Sequence, residues 1–167
     1  MKRTWRWTTH LRLRFAGWRP GRNVLNQLRL PRSLSIFPEA ERILSEFGNL
    51  RFGNKNDEVV LDPSTGEDIL EETRTYEAKL GRRLYPLGVW KHQDRIYLLI
   101  DEQGFVYELN FAVRRERRFH YELRPLASSF DRAVDYMVRR WRTRREKRED
   151  LGPVDMLDKV WRLEDSR

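Results

Sequence analysis

The side chains that could support acid–base or metal chemistry in this chain are few and widely spaced. The chain has three histidines and no cysteine, so it has neither a disulfide framework nor a thiolate metal site. His10, His92 and His120 lie far apart, and none stands in the HExxH or HxH spacing that brings two imidazoles to one metal. The sequence therefore indicates solvated or locally bonded imidazoles.

Carboxylates concentrated between residues 57 and 77 are the second candidate for chemistry, with eight acids against the single base Arg74. The acids considered as cation ligands are Asp57, Asp62, Glu67 and Asp68. Their spacing is not that of an EF-hand, because no glutamate closes a DxDxDG loop. GxSxG, P-loop and GxGxxG motifs are also absent from the sequence. We therefore expect no catalytic residue, metal or cofactor, and a protein that is not an enzyme.

The same acidic segment has two interpretations. It is either a solvated helix face balanced by the basic remainder of the chain, or a patch that docks on a positively charged protein. In the second case the predicted partner-binding residues are Glu67, Asp68, Glu71, Glu72 and Tyr76. Electrostatic complementarity of this kind raises association rates toward ~10⁸ M⁻¹s⁻¹. Three aromatic residues, Tyr76, Trp90 and Tyr97, are predicted either to be exposed for binding or to belong to the core.

Basic segments favour a rival class, the nucleic-acid-binding module. The formal net charge is +8, and no acid precedes Glu39. Near the start, Trp5 and Trp7 alternate with arginines, which is stacking chemistry, and residues 139–148 could follow phosphates. No recognised nucleic-acid motif accompanies this charge. Solvated charge, or non-specific attraction to nucleic acid, remains the alternative.

The sequence contains no segment predicted to enter a membrane. Its longest apolar runs are about as short as residues 97–100, whereas a membrane helix needs about 20 apolar residues. The basic start lacks the apolar stretch of a secretory signal. Together with the absence of cysteine, this predicts a cytoplasmic protein.

The element that must organise the chain is a hairpin predicted at residues 95–109. A four-residue loop at 101–104 would pair Ile100 with Phe105 and Leu98 with Tyr107. That register places six residues on one apolar face, namely Ile96, Leu98, Ile100, Phe105, Tyr107 and Leu109. The other face would carry Tyr97, Leu99, Val106 and Glu108. A third strand is predicted around Leu87 and Val89.

Apolar spacing predicts several helices around this hairpin. They are expected at residues 8–15, 23–30, 38–47, 67–80, 129–141 and 154–163. In the first of them, Leu11, Phe15 and Trp18 are expected on the buried side, and short strands are predicted at 50–52 and 59–61. The fold class is therefore α+β, with a mostly antiparallel sheet of about four to six strands packed by several helices and a C-terminal helical extension.

Four motifs occur in series along the chain. They are AGWRPGR at 16–22, FPEA at 37–40 leading into SEFGNL at 45–50, GRRLYPLG at 81–88 and LIDEQGFVY at 99–107. In order and spacing they resemble the SUKH superfamily of immunity proteins, in the subgroup that opens with AGWxPGR, over residues 11–139. The residues that match the pattern as structural positions are Trp18, Pro20, Phe47, Gly48, Pro86, Gly88 and Gly104.

This resemblance implies a bacterial α+β protein that binds and neutralises the polymorphic toxin of its own cell by protein–protein contact. The implied partner is a cognate toxin domain, such as a nuclease, and the resemblance carries no catalytic residues. The chain is predicted to have two parts, an immunity domain at 1–141 and a basic helical tail at 142–167, and the tail is an extension beyond the family pattern. Within the tail, Leu157, Val160 and Trp161 could either lie on the toxin or fold back onto the domain.

Overall fold

The computed structural model of this protein describes residues 5–54, 57–91, 95–113 and 119–140. Within these ranges the α-helices are α1 (Trp7–Phe15), α2 (Pro38–Phe47), α3 (Leu70–Leu80) and α4 (Phe130–Arg140), with 3₁₀ segments at Leu25–Gln27 and Pro63–Ile69. The strands are β1 (Arg51–Asn54), β2 (Asp57–Val60), β3 (Leu84–Lys91), β4 (Arg95–Asp101), β5 (Val106–Val113) and β6 (Phe119–Ala127). The predicted α+β class is confirmed.

The sheet places its six described strands in the order in which they occur along the chain. Every neighbouring pair from β1 to β6 is antiparallel. Short connections explain four of the five pairings, because a parallel crossover would need a dozen or more residues between strands. The exception is β2 with β3, which pair antiparallel although residues 61–83, including α3, lie between them. The predicted antiparallel sheet of four to six strands is therefore confirmed.

Both faces of the sheet are buried, so the expectation of one apolar face is wrong. One face carries Leu98 and Ile100 and packs against α1, α2 and α4. The opposite face carries Tyr97 and Leu99 and packs against the 3₁₀ segment at Pro63–Ile69 and α3. A central strand covered on both sides reads as a continuous apolar run, which explains the uninterrupted sequence from Tyr97 to Ile100.

The register of the β4–β5 hairpin differs by one residue from the prediction. Ile100 pairs with Val106 and not with Phe105, because Asp101 belongs to the strand. Its backbone N–H donates to the Phe105 carbonyl at 3.0 Å, which leaves a three-residue loop that ends in Gly104 at φ +89°. Loops of this length characteristically place a glycine in the left-handed region. Tyr107 and Leu109 consequently lie on the α3 face, opposite to the predicted assignment.

Helix α1 exposes a different side from the one predicted. Its buried residues are Thr9 and Leu13, whereas Leu11 and Phe15 are exposed. Trp18 does not continue the helical face, because the chain turns at Gly17 and the Trp18 N–H donates to the Leu13 carbonyl at 2.9 Å. This is the bond that closes a helix at a left-handed glycine, and it sends the Trp18 indole into the core.

The remaining helix predictions are largely confirmed. Pro38 opens α2, which buries Ala40, Ile43, Leu44 and Phe47, and Gly48 follows its last residue. α4 buries the predicted spacing of Phe130, Ala133, Val134 and Met137. The helix expected at 23–30 is only a 3₁₀ turn, and the one expected from residue 67 begins as a 3₁₀ segment. The predicted helix at 154–163 lies outside the described residues.

Candidate partner-binding surface

The eight acids of residues 57–77 divide into two groups in the structure. Four of them bond to neighbouring elements and hold the fold together. Asp57 accepts from the Trp90 indole, Glu58 pairs with Lys91 at 3.2 Å, Asp62 accepts from the Ser64 N–H and Glu77 from the Leu84 N–H. Four of the eight acids therefore stabilise turns and strand ends.

The other four acids are Glu67, Asp68, Glu71 and Glu72, which are the carboxylates predicted to bind a partner. They follow one another along the end of the 3₁₀ segment and the first turn of α3, and three of them are exposed. Asp68 makes an exposed pair with Arg95 at 3.4 Å, a type that contributes little to stability. The carboxylates of Glu67, Glu71 and Glu72 make no hydrogen bond or ion pair within the described part of the chain.

The fifth predicted residue, Tyr76, lies beneath this row of acids. Its side chain is buried, and its hydroxyl donates to the Tyr121 carbonyl at 2.8 Å. Of the two alternatives for the aromatic residues, the core one holds for Tyr76, Trp90 and Tyr97, which are all buried. Tyr76 therefore fixes α3 to β6 and supports the acids from below.

Two aromatic residues that sequence reasoning did not single out border the acids. Tyr121 on β6 packs edge to face against Phe111 on β5, with ring centroids 5.4 Å apart, and the Phe111 side chain is 46% exposed. Burial and then the nearby Tyr97, Glu72 and Asp68 raise the pKa of Tyr121, while Arg95 opposes them. The shift shows that carboxylates and ring share one neighbourhood.

We call this region the acidic–aromatic surface, which comprises Glu67, Asp68, Glu71, Glu72, Phe111 and Tyr121. The acids come from the end of the 3₁₀ segment and the start of α3, and the rings come from the neighbouring strands β5 and β6 later in the chain. The sequence signal for the rings was weak, because the arginine run at 114–118 interrupts the alternating pattern of the two strands. A surface with an exposed ring and nearby carboxylates can bind a protein that offers an apolar contact ringed by positive charge.

The AGWRPGR loop lines a separate groove on the opposite side of the sheet. This groove has a volume of about 1120 Å³ and lies between the loop, α2 and the start of α4. The Trp18 indole donates to the Glu46 carboxylate at 2.9 Å, and the Arg22 guanidinium donates to the Glu46 carbonyl at 2.9 Å. Burial, followed by the charge of Arg19, lowers the pKa of Arg22. The motif thus ties the loop to the end of α2.

No group of three or more histidine, aspartate or glutamate side chains in the described ranges is placed to hold a metal ion. His10 packs edge to face against Trp18, with ring centroids 5.2 Å apart. His92 and the side chain of His120 lie outside what the structure describes. Among the described helices, none is long and apolar enough to cross a membrane.

Comparison with known proteins gives one match. The family model described as SUKH-3 immunity protein matches residues 6–123, which is more than two thirds of the chain. The matched range runs from the residue before α1 into β6 and contains the whole acidic–aromatic surface. No curated protein and no solved structure matches the chain.

Proposed function

This chain belongs to the SUKH-3 immunity protein family, which confirms the resemblance drawn from its motifs, and we propose that it neutralises a cognate bacterial toxin by binding the toxin domain. Immunity to toxins is the function of the family. The proposal adds a direct and stoichiometric protein–protein complex, formed in the cytoplasm, that blocks or distorts the toxin's active site.

One observation supports a particular binding surface, namely the exposed Phe111 ring, which packs edge to face on Tyr121 in the neighbourhood of the Glu72 and Asp68 carboxylates. Interfaces derive most of their affinity from a few central apolar or aromatic residues. Charged residues at the rim mainly set the association rate and exclude wrong partners. Phe111 would supply the centre, and Glu67, Glu71 and Glu72 would supply a negative rim.

The partner that fits this surface presents positive charge around an apolar contact. Toxin domains that cleave nucleic acid carry such charge, because they must attract phosphates. A nuclease is therefore the toxin chemistry that we propose. The overall charge of +8 does not oppose such a partner, since four carboxylates are gathered within residues 67–72 at the proposed docking surface.

The proposed function is tested by expressing the toxin domain encoded beside this chain, with and without the chain. We expect growth arrest from the toxin alone and normal growth with both proteins, together with a one-to-one complex on size-exclusion chromatography. Protection of the cells without any complex would contradict direct binding.

Reversing the charge of Glu71 with Glu71→Lys is expected to slow toxin association about three- to tenfold at low salt. The effect should shrink at physiological salt, where the screening length falls to about 8 Å. Glu41→Lys is a matched control, because both glutamates lie in the first turn of a helix and are exposed. Stopped-flow kinetics that show equal rates for both variants would exclude the acids while leaving toxin binding intact.

Removing the Phe111 ring with Phe111→Ala is expected to weaken the complex by about 2 kcal/mol, which is the effect of an interface hot spot. Phe15→Ala is the matched control, since Phe15 is 84% exposed but lies on a helix that packs on the opposite face of the sheet. Isothermal titration calorimetry with the toxin domain measures both. An equal affinity for the two variants would place the interface elsewhere.

A further inference from the structure

An apolar stripe runs along the outer side of α1. Trp7, Leu11 and Phe15 are 74%, 44% and 84% exposed. Residues spaced by four lie above one another on a helix, so the three side chains form one continuous strip. They are three of the four large hydrophobic side chains that are exposed in the described ranges. Contiguous exposed apolar surface of this kind marks a docking site.

The charge carried by α1 itself is entirely positive. Arg6 and Arg14 are exposed on the same helix, and the chain has no acidic residue before Glu39. An apolar segment interspersed with carboxylates is the chemistry that complements such a helix.

The chain itself contains a segment of this chemistry. Residues 154–163 carry Val154, Leu157, Val160 and Trp161 at helical spacing. Around them, residues 149–165 hold six acids and two bases, which gives a net charge of −4.

The end of α4 places this segment within reach of α1. The Thr9 hydroxyl on α1 donates to the Asp135 carboxylate on α4 at 2.6 Å, so the two helices are in contact close to the last described residue. Residues 141–153 can span up to about 43 Å when extended, and α1 is only about 13 Å long. The connecting chain therefore imposes no restriction on where along α1 the segment lies.

We propose that residues 154–163 fold back and cover the apolar stripe of α1 in the same molecule. Leu157, Val160 and Trp161 pack against the stripe, and the neighbouring acids face the arginines. This inference goes beyond the proposed function and does not depend on toxin binding. It also argues against the nucleic-acid-binding interpretation, because residues 154–163 would already cover the aromatic residues between the arginines.

The absence of cysteine makes a direct test possible in the full chain. The double variant Leu11→Cys with Val160→Cys is treated with a short bismaleimide, and the product is analysed by gel electrophoresis and peptide mass spectrometry. We expect a cross-link within one chain. The control pair is Ala78→Cys with Val160→Cys, because Ala78 is exposed on α3 at the opposite face of the sheet. It should cross-link at least about tenfold less.

One further result would support the proposal, and three others would overturn it. Adding Leu157→Asp and Trp161→Asp should reduce the first cross-link about tenfold, because the apolar contact is lost. Cross-linked product only at the mass of two chains would mean that a second copy covers the stripe. Equal yields for the two cysteine pairs would mean that the segment has no preferred site. Protection of the Leu11→Cys thiol by a labelled oligonucleotide at physiological salt, without any cross-link, would assign the stripe to nucleic acid. Each of these last three outcomes overturns the proposal.

Discussion

Replacing Asp101 with alanine is expected to lower the free energy of unfolding by about 3–5 kcal/mol. The Asp101 carboxylate is fully buried. One of its oxygens accepts from the N–H groups of Gln103 and Phe105, each at 2.9 Å, and the other accepts from the Tyr107 hydroxyl at 2.9 Å and the Arg82 guanidinium at 3.1 Å. Removing the carboxylate leaves buried donors without an acceptor, and an unsatisfied buried donor costs its full desolvation energy.

Two variants show whether this network, and not the turn as such, carries the stability. Asp101→Asn retains one amide oxygen for the loop N–H groups but loses the charge beside Arg82, so an intermediate loss is expected. Glu102→Ala removes the neighbouring exposed pair with Arg83 at 2.9 Å and should change the free energy of unfolding little, because exposed ion pairs contribute little to stability. Urea denaturation measures all three. A loss for Asp101→Ala no larger than that for Glu102→Ala would contradict the prediction.

The second large effect is expected for Gly88→Ala in β3, which should lower the free energy of unfolding by about 3 kcal/mol or more. Gly88 has φ +150° and lies at the irregularity where the β3–β4 register shifts. A Cβ atom there would collide with the Val60 carbonyl oxygen and lie 2.8 Å from the Leu61 Cα and the Asp62 N. All three obstacles are backbone atoms, which cannot rotate away. Overpacking of this kind typically costs about 1–3 kcal/mol, and the strained φ adds about 1–2 kcal/mol.

The Gly81→Ala variant separates the two contributions expected at Gly88, which are the collision with backbone atoms and the strained φ. Gly81 also has a positive φ, of +63°, but no atom lies within 4 Å of the position that its Cβ would take. The Gly81→Ala variant should therefore lose only the contribution of the positive φ, about 1–2 kcal/mol of the free energy of unfolding. Thermal denaturation of both variants tests the comparison, and similar melting temperatures would show that the approach of β2 to β3 leaves room for a side chain.

Local signals in the sequence were sufficient to predict the elements whose ends and buried sides are set by their own residues. Pro38 and Gly48 bracket α2, and its apolar spacing identifies the buried side, so the helix and its core residues were predictable. The hairpin register was not, because it depends on Asp101, whose side chain binds the loop and whose backbone continues the strand. Counting Asp101 as a loop residue shifts the pairing by one position and exchanges the two faces of β5.

The candidate site was likewise predictable only in part. A run of acids is visible in any sequence, and the prediction located it. Which acids are already bonded is decided by partners such as Trp90 and Lys91, which lie on another strand some thirty residues later. Phe111 and Tyr121 meet only because β5 pairs with β6. No local pattern reports contacts of that range, so the aromatic half of the surface was missed.

The order of the sheet has a consequence for how the protein is made. Since each strand pairs with the one that precedes it in the chain, the hairpins can assemble one after another with small loop-closure costs, as a ribosome releases them. Helix α1 is the exception, because its Thr9 must find Asp135, which is 126 residues away. Helix α1 therefore leaves the ribosome before the sheet but is among the last elements to reach its place, and a nascent chain holds an almost complete sheet before α1 is secured.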